Sequence, residues 1–221
     1  MRSVVDFLSA LASNNNREWF AAHKAEYRQA EAQFGEFALG VIDGIAAFDD
    51  SVRGLGLRDC TYRIYRDTRF SADKTPYKTN MGVFVAPHGK KAGYAGYYLH
   101  IEPSAESFLW AGSHMPSPVV LRSIREEIID NGEAIERAIA GSHGFELCRD
   151  RSLQRNPKGF PAGNRYDEWL RLLDFGIMKP LDERTILAPD LLVRVLDDFR
   201  STAPLVAILN RAVRYAYEEM M

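Results

Sequence analysis

Between Tyr62 and Ala111 the apolar pattern of this chain changes period, and that change limits the fold more than any other feature. On either side, apolar residues recur at helical spacing. Inside it, the runs are short, rich in β-branched and aromatic residues, and separated by turn formers. Four strands are expected, over residues 62–66, 81–86, 97–101 and 107–111. In the first, Tyr62, Ile64 and Arg66 fall on one face and Arg63 and Tyr65 on the other. The second stops at Pro87. Two of the three links are short enough for an antiparallel meander. The link between Asp67 and Asn80 is long for a compact domain, and such loops tend to carry function.

The flanks read as helices. Phe7, Leu8 and Leu11 share a face, and Asn14-Asn15-Asn16 breaks the pattern. Asn15 with Glu18 three residues on fits a capping box. It opens a helix that groups Trp19, Phe20, His23 and Tyr27. A third stretch carries Phe34, Phe37, Ala38, Val41, Ile42 and Ile45. Beyond the strands, Ser117-Pro118 is a helix start. Asn131-Gly132 ends that helix, and a shorter one runs to about Gly141. Tyr166, Trp169, Leu170 and Leu173 suit another helix, and residues 191–199 and 204–218 finish the chain. The expected fold is a single α+β domain over residues 1–221. Its antiparallel sheet has about four strands, over residues ~61–112, flanked by N-terminal and C-terminal helices.

Composition removes several functions. Hydrophobic content of 46% and charged content of 26% suit a globule with a sizeable core. A formal charge of −2 gives no global pull toward nucleic acid or anionic membrane, so a basic surface has to be local. Cys60 and Cys148 fit neither a disulfide framework nor a zinc site, and reduced thiols in a cytoplasmic setting are expected. The opening residues do not read as a secretory signal. No apolar run approaches the ~20 residues that cross a bilayer. The five histidines (His23, His88, His100, His114, His143) lack metal-ligand spacing, so no metal site is expected. There is no Walker loop, dinucleotide fingerprint or G-x-S-x-G elbow. His114, beside a glycine turn after a strand, is the histidine best suited to general acid or base work.

The densest concentration of chemistry is Tyr62 to Asn80. It holds Arg63, Arg66, Arg69, Lys74 and Lys78, the acids Asp67 and Asp73, and four aromatic rings. Arginine offers a planar fork to carboxylate or phosphate, and lysine a point charge. Four of the chain's seven lysines (Lys74, Lys78, Lys90, Lys91) fall between residues 74 and 91. A folded-back loop would let Arg66, Arg69, Lys74 and Lys78 converge on one anion, with Tyr65, Phe70 and Tyr77 as stacking surfaces. Lys158, in a second basic loop over residues 149–164, could complete the ring. The candidate ligand-binding set is therefore Arg63, Arg66, Asp67, Arg69, Asp73, Lys74, Tyr77, Lys78 and Lys158. A phosphorylated or otherwise anionic small ligand, a nucleotide among them, is the expected partner. Two other readings stay open: an internal salt-bridge lattice in a scaffold or interaction protein, and a nucleic-acid binder, which the overall acidity disfavours. Whether the chain is an enzyme, its cofactors and its oligomeric state are open at this level.

The run R-I-Y-R-D-T-R-F-S-A-D-K-T-P-Y-K-T-N resembles the signature of the domain-of-unknown-function 2461 family of bacteria and fungi. The opening F-L-S-A-L-A-S-N-N-N-R-E-W-F, the stretch A-G-S-H-M-P-S-P at 111–118 and L-Q-R-N-P-K-G-F at 153–160 support it. In A-G-S-H the chain departs from relatives that carry more glycine there. The resemblance points to the central run as the place to look and implies no reaction.

Overall fold

The computed structural model describes residues 1–220. Helices α1 (Arg2–Ser13), α2 (Arg17–Ala22), α3 (Lys24–Ala46) and α4 (Leu57–Cys60) precede strands β1 (Met81–Val85), β2 (Gly96–Ile101) and β3 (Ser107–Ser113). Then follow α5 (Pro118–Ala140), β4 (Glu146–Leu147), α6 (Asp167–Leu170), β5 (Phe175–Leu181), α7 (Glu183–Ile186) and α8 (Leu191–Glu218). The five strands form one antiparallel sheet in the order β1-β2-β3-β5-β4, so the α+β reading holds with one strand more than expected.

Alternation assigns the two faces of the sheet. Val83, Tyr97, Leu99, Leu109, Ala111 and Ile177 are all buried on one face. There α8 lies across β2 and β3, and α3 packs on β1 and α8. Helix α5 packs on the far side of α8, and α1 packs on α3. Phe199 of α8 is fully buried, its ring edge-on to Tyr97 at 5.6 Å. A polar latch joins the same layers. The side chain of Asn210, in α8, accepts from the Ala95 amide at 2.8 Å and donates to the Ala95 carbonyl at 3.0 Å. Both residues are buried, and the two bonds close across 115 residues of sequence.

Several local expectations change. Residues 62–66 do not form a regular strand. The segment is held by isolated bridges, Thr61 to Val83 of β1 just before it and Tyr65 to Tyr77 in the loop that follows it. Pro76 explains the break: it accepts from the Arg66 amide at 3.0 Å but has no N–H to return. Strand β5 is absent from the expected set because Pro180 lies inside it and proline argues against a strand. It is tolerated because β4 reaches only Ile177 and Met178 of β5, so no outer strand asks for an N–H at Pro180. The break expected at Asn131 is present as a non-helical kink (φ −130°, ψ 23°), across which the two expected helices run on as α5. Residues 191–218 likewise form one helix across Pro204. One turn before it, the hydroxyls of Ser201 and Thr202 bond back to the carbonyls of Asp198 and Phe199. The cap of α2 is Asn16, not Asn15, and it accepts from the Trp19 amide at 2.8 Å. The side-chain amide of Asn15 bonds in both directions to the Tyr77 backbone, tying the N-terminal helices to the central loop.

Candidate functional site

The face of the sheet turned away from the helices is aromatic. Gly82 and Phe84 of β1, Tyr98 and His100 of β2, Phe108 and Trp110 of β3, and Gly176 and Met178 of β5 alternate onto it. In register, Phe84 faces Tyr98, Tyr98 faces Trp110, and Trp110 faces Met178. A one-sided antiparallel sheet ordinarily turns polar residues to water. Here the rings floor an open cleft of about 570 Å³, walled by Tyr62 and Lys90 at one end and by His114, Cys148, Asp150, Arg151 and Asp174 at the other. Two glycines make its depth. A Cβ at Gly176 would stand 2.2 Å from the Trp110 ring, and one at Gly82 would stand 2.6 Å from the Tyr98 hydroxyl.

At the Tyr62 end, two ammonium groups approach one ring. The Nζ of Lys78 lies 5.3 Å from the Tyr62 centroid and that of Lys90 lies 5.8 Å from it. Lys90 also donates to the Arg58 carbonyl. Lys78 has no carboxylate within ion-pair distance among the described residues, and burial followed by the charge of Arg63 lowers its pKa. Lys78, Asn80, Gly82 and Phe84 alternate along one run, which is why this lysine reaches the cleft side. The Tyr62 ring stands edge-on to Tyr98 at 6.4 Å and so joins the lysines to the aromatic floor.

At the other end, Asp174 organises the polar groups. Its carboxylate accepts from the Met115 amide at 2.6 Å and from Arg151 at 2.7 Å, and its Oδ2 lies 3.5 Å from Nδ1 of His114. The His114 ring is edge-on to Trp110 at 6.0 Å. Burial raises the pKa of Cys148, and nearby Asp150 and Asp174 add to it, so the thiol stays protonated beside Trp110. Cys60 lies in the core with its thiol pushed up to about 11 by burial. Among the described residues, no group of three or more His, Cys, Asp or Glu side chains is placed so that it could hold a metal ion.

A third group of polar side chains lies at the β2 margin. His100 lies 2.9 Å through Nε2 from Glu102 Oε2 and 2.9 Å through Nδ1 from the Tyr98 hydroxyl. Its Nδ1 is also 3.0 Å from Nδ2 of Asn80. The imidazole stacks on Phe108 at 4.7 Å and 10°. Thr79 donates to the other Glu102 oxygen.

The nine residues singled out in the sequence are divided by this geometry. Arg66 bonds to Asp73 and Thr75, Arg69 grips Asp67 through two bonds of 2.9 and 2.6 Å, and Lys74 donates to the Thr68 carbonyl at 2.9 Å. These three cations are turned to partners in their own loop. Tyr77 is buried, stacked on Phe20 at 3.9 Å. Arg63 is exposed beside Lys78. Lys158 is exposed in the second loop and shares no bond, ion pair or cleft with residues 62–80 among the described residues. None of the nine lines the aromatic cleft; Lys78 comes nearest, against the Tyr62 ring that walls one end of it.

The loop pairing has a pH signature. Asp73 is held at about 2, below its ordinary 3.8, first by the Thr75 amide and then by Arg66 and the Thr75 hydroxyl. A depressed carboxyl stabilises its fold above the ordinary value, and that contribution drains away as pH falls through the folded value. The loop contribution is thus complete above about pH 4 and is lost toward pH 2. A carboxyl-detected NMR titration is expected to place the Asp73 midpoint near 2. Arg66→Ala is expected to raise it part of the way, because the Thr75 bonds remain. An unmoved midpoint in that variant would remove Arg66 as a cause.

Comparison with known sequences adds one finding. The family model described as conserved hypothetical protein, DUF2461, matches residues 3–207. No curated protein and no solved structure matches the chain.

Proposed function

The chain belongs to the DUF2461 family of conserved hypothetical proteins, and we propose that it binds, in the aromatic cleft, a small ligand that joins a planar ring to an anionic group, a nucleotide being one such molecule. The observation that carries this reading is the sheet face itself: rings where polar residues belong, flooring an open cleft that ends at Tyr62 and Lys90, with Lys78 against the same Tyr62 ring. A cleft of about 570 Å³ is of the size that small-molecule sites take, and such sites pair apolar walls with a few polar groups. The ring would stack on Trp110 or Phe108 and the anion would meet Lys78 and Lys90. Arg151 is already engaged by Asp174, so the Tyr62 end is the better anion site. Of the basic run, this reading takes Tyr62 and Lys78 and leaves Arg66, Arg69 and Lys74 to hold the loop. A polymer of nucleotides would need a continuous basic stripe, and the cleft has its cations only at its ends.

A second reading has its own support. The pairs of Arg66 with Asp73 and Arg69 with Asp67 suit a loop stiffened for contact with another protein, and Phe70 at its tip is 95% exposed. Thermal-shift titration with adenosine monophosphate, adenosine, inorganic phosphate and a short oligonucleotide separates the readings. The monophosphate is expected to stabilise the protein more than adenosine or phosphate alone. Trp110→Ala is expected to weaken it about fivefold or more, since a base stacked on an aromatic ring contributes ~1–3 kcal/mol. The Lys78→Ala, Lys90→Ala double variant is expected to match that loss, and Arg66→Ala to leave affinity unchanged. Stabilisation by none of the probes, or equal binding by all variants, would sink the cleft reading. Oligonucleotide binding that weakens steeply with salt would replace it.

A further inference from the structure

The polar group at the β2 margin has the connectivity of a nucleophile, its base and the group that orients the base. Asn80 can only donate through Nδ2, so Nδ1 of His100 is the acceptor and the ring proton sits on Nε2, facing Glu102. The Tyr98 hydroxyl therefore donates to His100 Nδ1 at 2.9 Å. One lone pair on Nδ1 serves two donors, Tyr98 and Asn80, and the phenol proton is the one that can be given up. Glu102 is fixed in turn by Thr79 and by its own amide, which donates to the Ser107 hydroxyl at 2.8 Å. The stack on Phe108 fixes the plane of the imidazole. Tyr98, at the opposite end of this chain of bonds, is one of the residues that line the cleft.

Resting on the cleft as a ligand site, we propose that Tyr98 is a catalytic residue: a phenolic nucleophile toward an anionic acyl or phosphoryl ester held at Lys78 and Lys90, with His100 as its base and Glu102 as a positioning residue. A serine triad has the same logic, with nucleophile, base and orienter in hydrogen-bond sequence. In the step, a bond forms from Tyr98 Oη to the ester's carbon or phosphorus. The bond to the leaving oxygen breaks and carries its electron pair away. The phenol proton passes to His100 Nδ1, and the imidazolium, stabilised by Glu102, returns it to the leaving oxygen. Water repeats the exchange to free the enzyme. Burial, with Tyr62 and Glu102 nearby, keeps the free phenol protonated, so proton loss accompanies attack rather than preceding it.

A reactive aryl probe tests this without knowledge of the natural substrate. The probe 4-(fluorosulfonyl)benzoate carries a ring, an anion and an electrophilic sulfur. Attack by Tyr98 forms the S–O bond, breaks S–F and releases fluoride. By peptide mapping, Tyr98 is expected to be labelled at least about 10-fold faster than Tyr62, Tyr65 and Tyr215, since general-base assistance contributes factors of ~10²–10⁴. Those three are more exposed, at 44%, 48% and 52%, so accessibility alone predicts the reverse. Tyr98→Phe is expected to lose the label. Glu102→Gln and His100→Gly are expected to slow it at least about 10-fold, with free imidazole restoring the His100→Gly rate, a rescue that a structural role does not produce. Labelling of wild-type Tyr98 no faster than of the exposed tyrosines overturns the proposal, and so does full-rate labelling in Glu102→Gln. The unreactive 4-sulfamoylbenzoate, run alongside by thermal shift, reports the cleft separately. If it binds while Tyr98 stays unlabelled, the relay falls and the ligand site stands.

Discussion

Gly176→Ala is expected to lower the thermal midpoint by about 2–12 °C and to abolish ligand binding in the same protein. The added Cβ would lie 2.2 Å from Cζ2 and 2.4 Å from Cε2 of Trp110, distances that no rigid ring accepts. The backbone of β5 is held on both sides there, by β3 and by the Cys148 amide donating to the Gly176 carbonyl at 2.9 Å, so the indole has to move. Its way out is up into the cleft. Overpacking of this kind costs roughly 1–3 kcal/mol, and a protein of this size loses about 2–4 °C per kcal/mol. Gly35→Ala is the matched control. It lies in α3, its Cβ would meet only Leu57 at an ordinary 3.7 Å, and a glycine removed from a helix interior contributes roughly 0.5–1 kcal/mol of stability. Calorimetry and the monophosphate titration together check both variants. A Gly176→Ala protein that binds normally would mean that Trp110 does not shape the site.

Phe199→Ala is expected to be the most damaging single truncation, at about 3–5 kcal/mol, or on the order of 10 °C in midpoint. The ring is fully buried between α8 and the sheet, edge-on to Tyr97. Tyr97 is itself held at its far end by a 3.0 Å bond from its hydroxyl to Asp49, so it cannot swing in to fill the void. Phe199→Leu keeps most of the volume and is expected to lose less than half as much. Urea unfolding of the three proteins is the measurement. Equal midpoints for the alanine and leucine variants would show that the layer between helix and sheet recollapses.

The helical flanks and the core face of the sheet are legible in the sequence because their periods are clean, as in Val83, Leu99 and Leu109. Strand β5 is not, because proline at 180 argues against a strand unless the outer neighbour is known to stop short, and that is a fact of pairing, not of sequence. The candidate site is half legible. Density of charge draws attention to the run from 62 to 80, yet charge density in sequence does not distinguish cations aimed at a ligand from cations aimed at Asp67 and Asp73. A different signal lies in the strands themselves. Phe84, Tyr98, Phe108 and Trp110 stand at the alternate positions of strands whose other face is already apolar. Rings at the positions that should meet water, strand after strand, are the pattern on which the proposed ligand site rests. Glu102 and His100 two residues apart are visible as well, but only the register that places Asn80 and Tyr98 against the imidazole gives them a role.

The Asn210 latch has a consequence for synthesis. The β1–β2 hairpin is complete in sequence by Ile101, but among the described residues the partners of the buried Ala95 amide and carbonyl sit on residue 210. At about 5–20 residues per second, a ribosome needs on the order of 10 s to reach that asparagine after it has made the hairpin. Throughout that interval the hairpin's closing loop keeps its polar groups in water and its core face uncovered. The cover for the sheet's core face thus arrives with α8, after every residue that lines the cleft on the other side has been made.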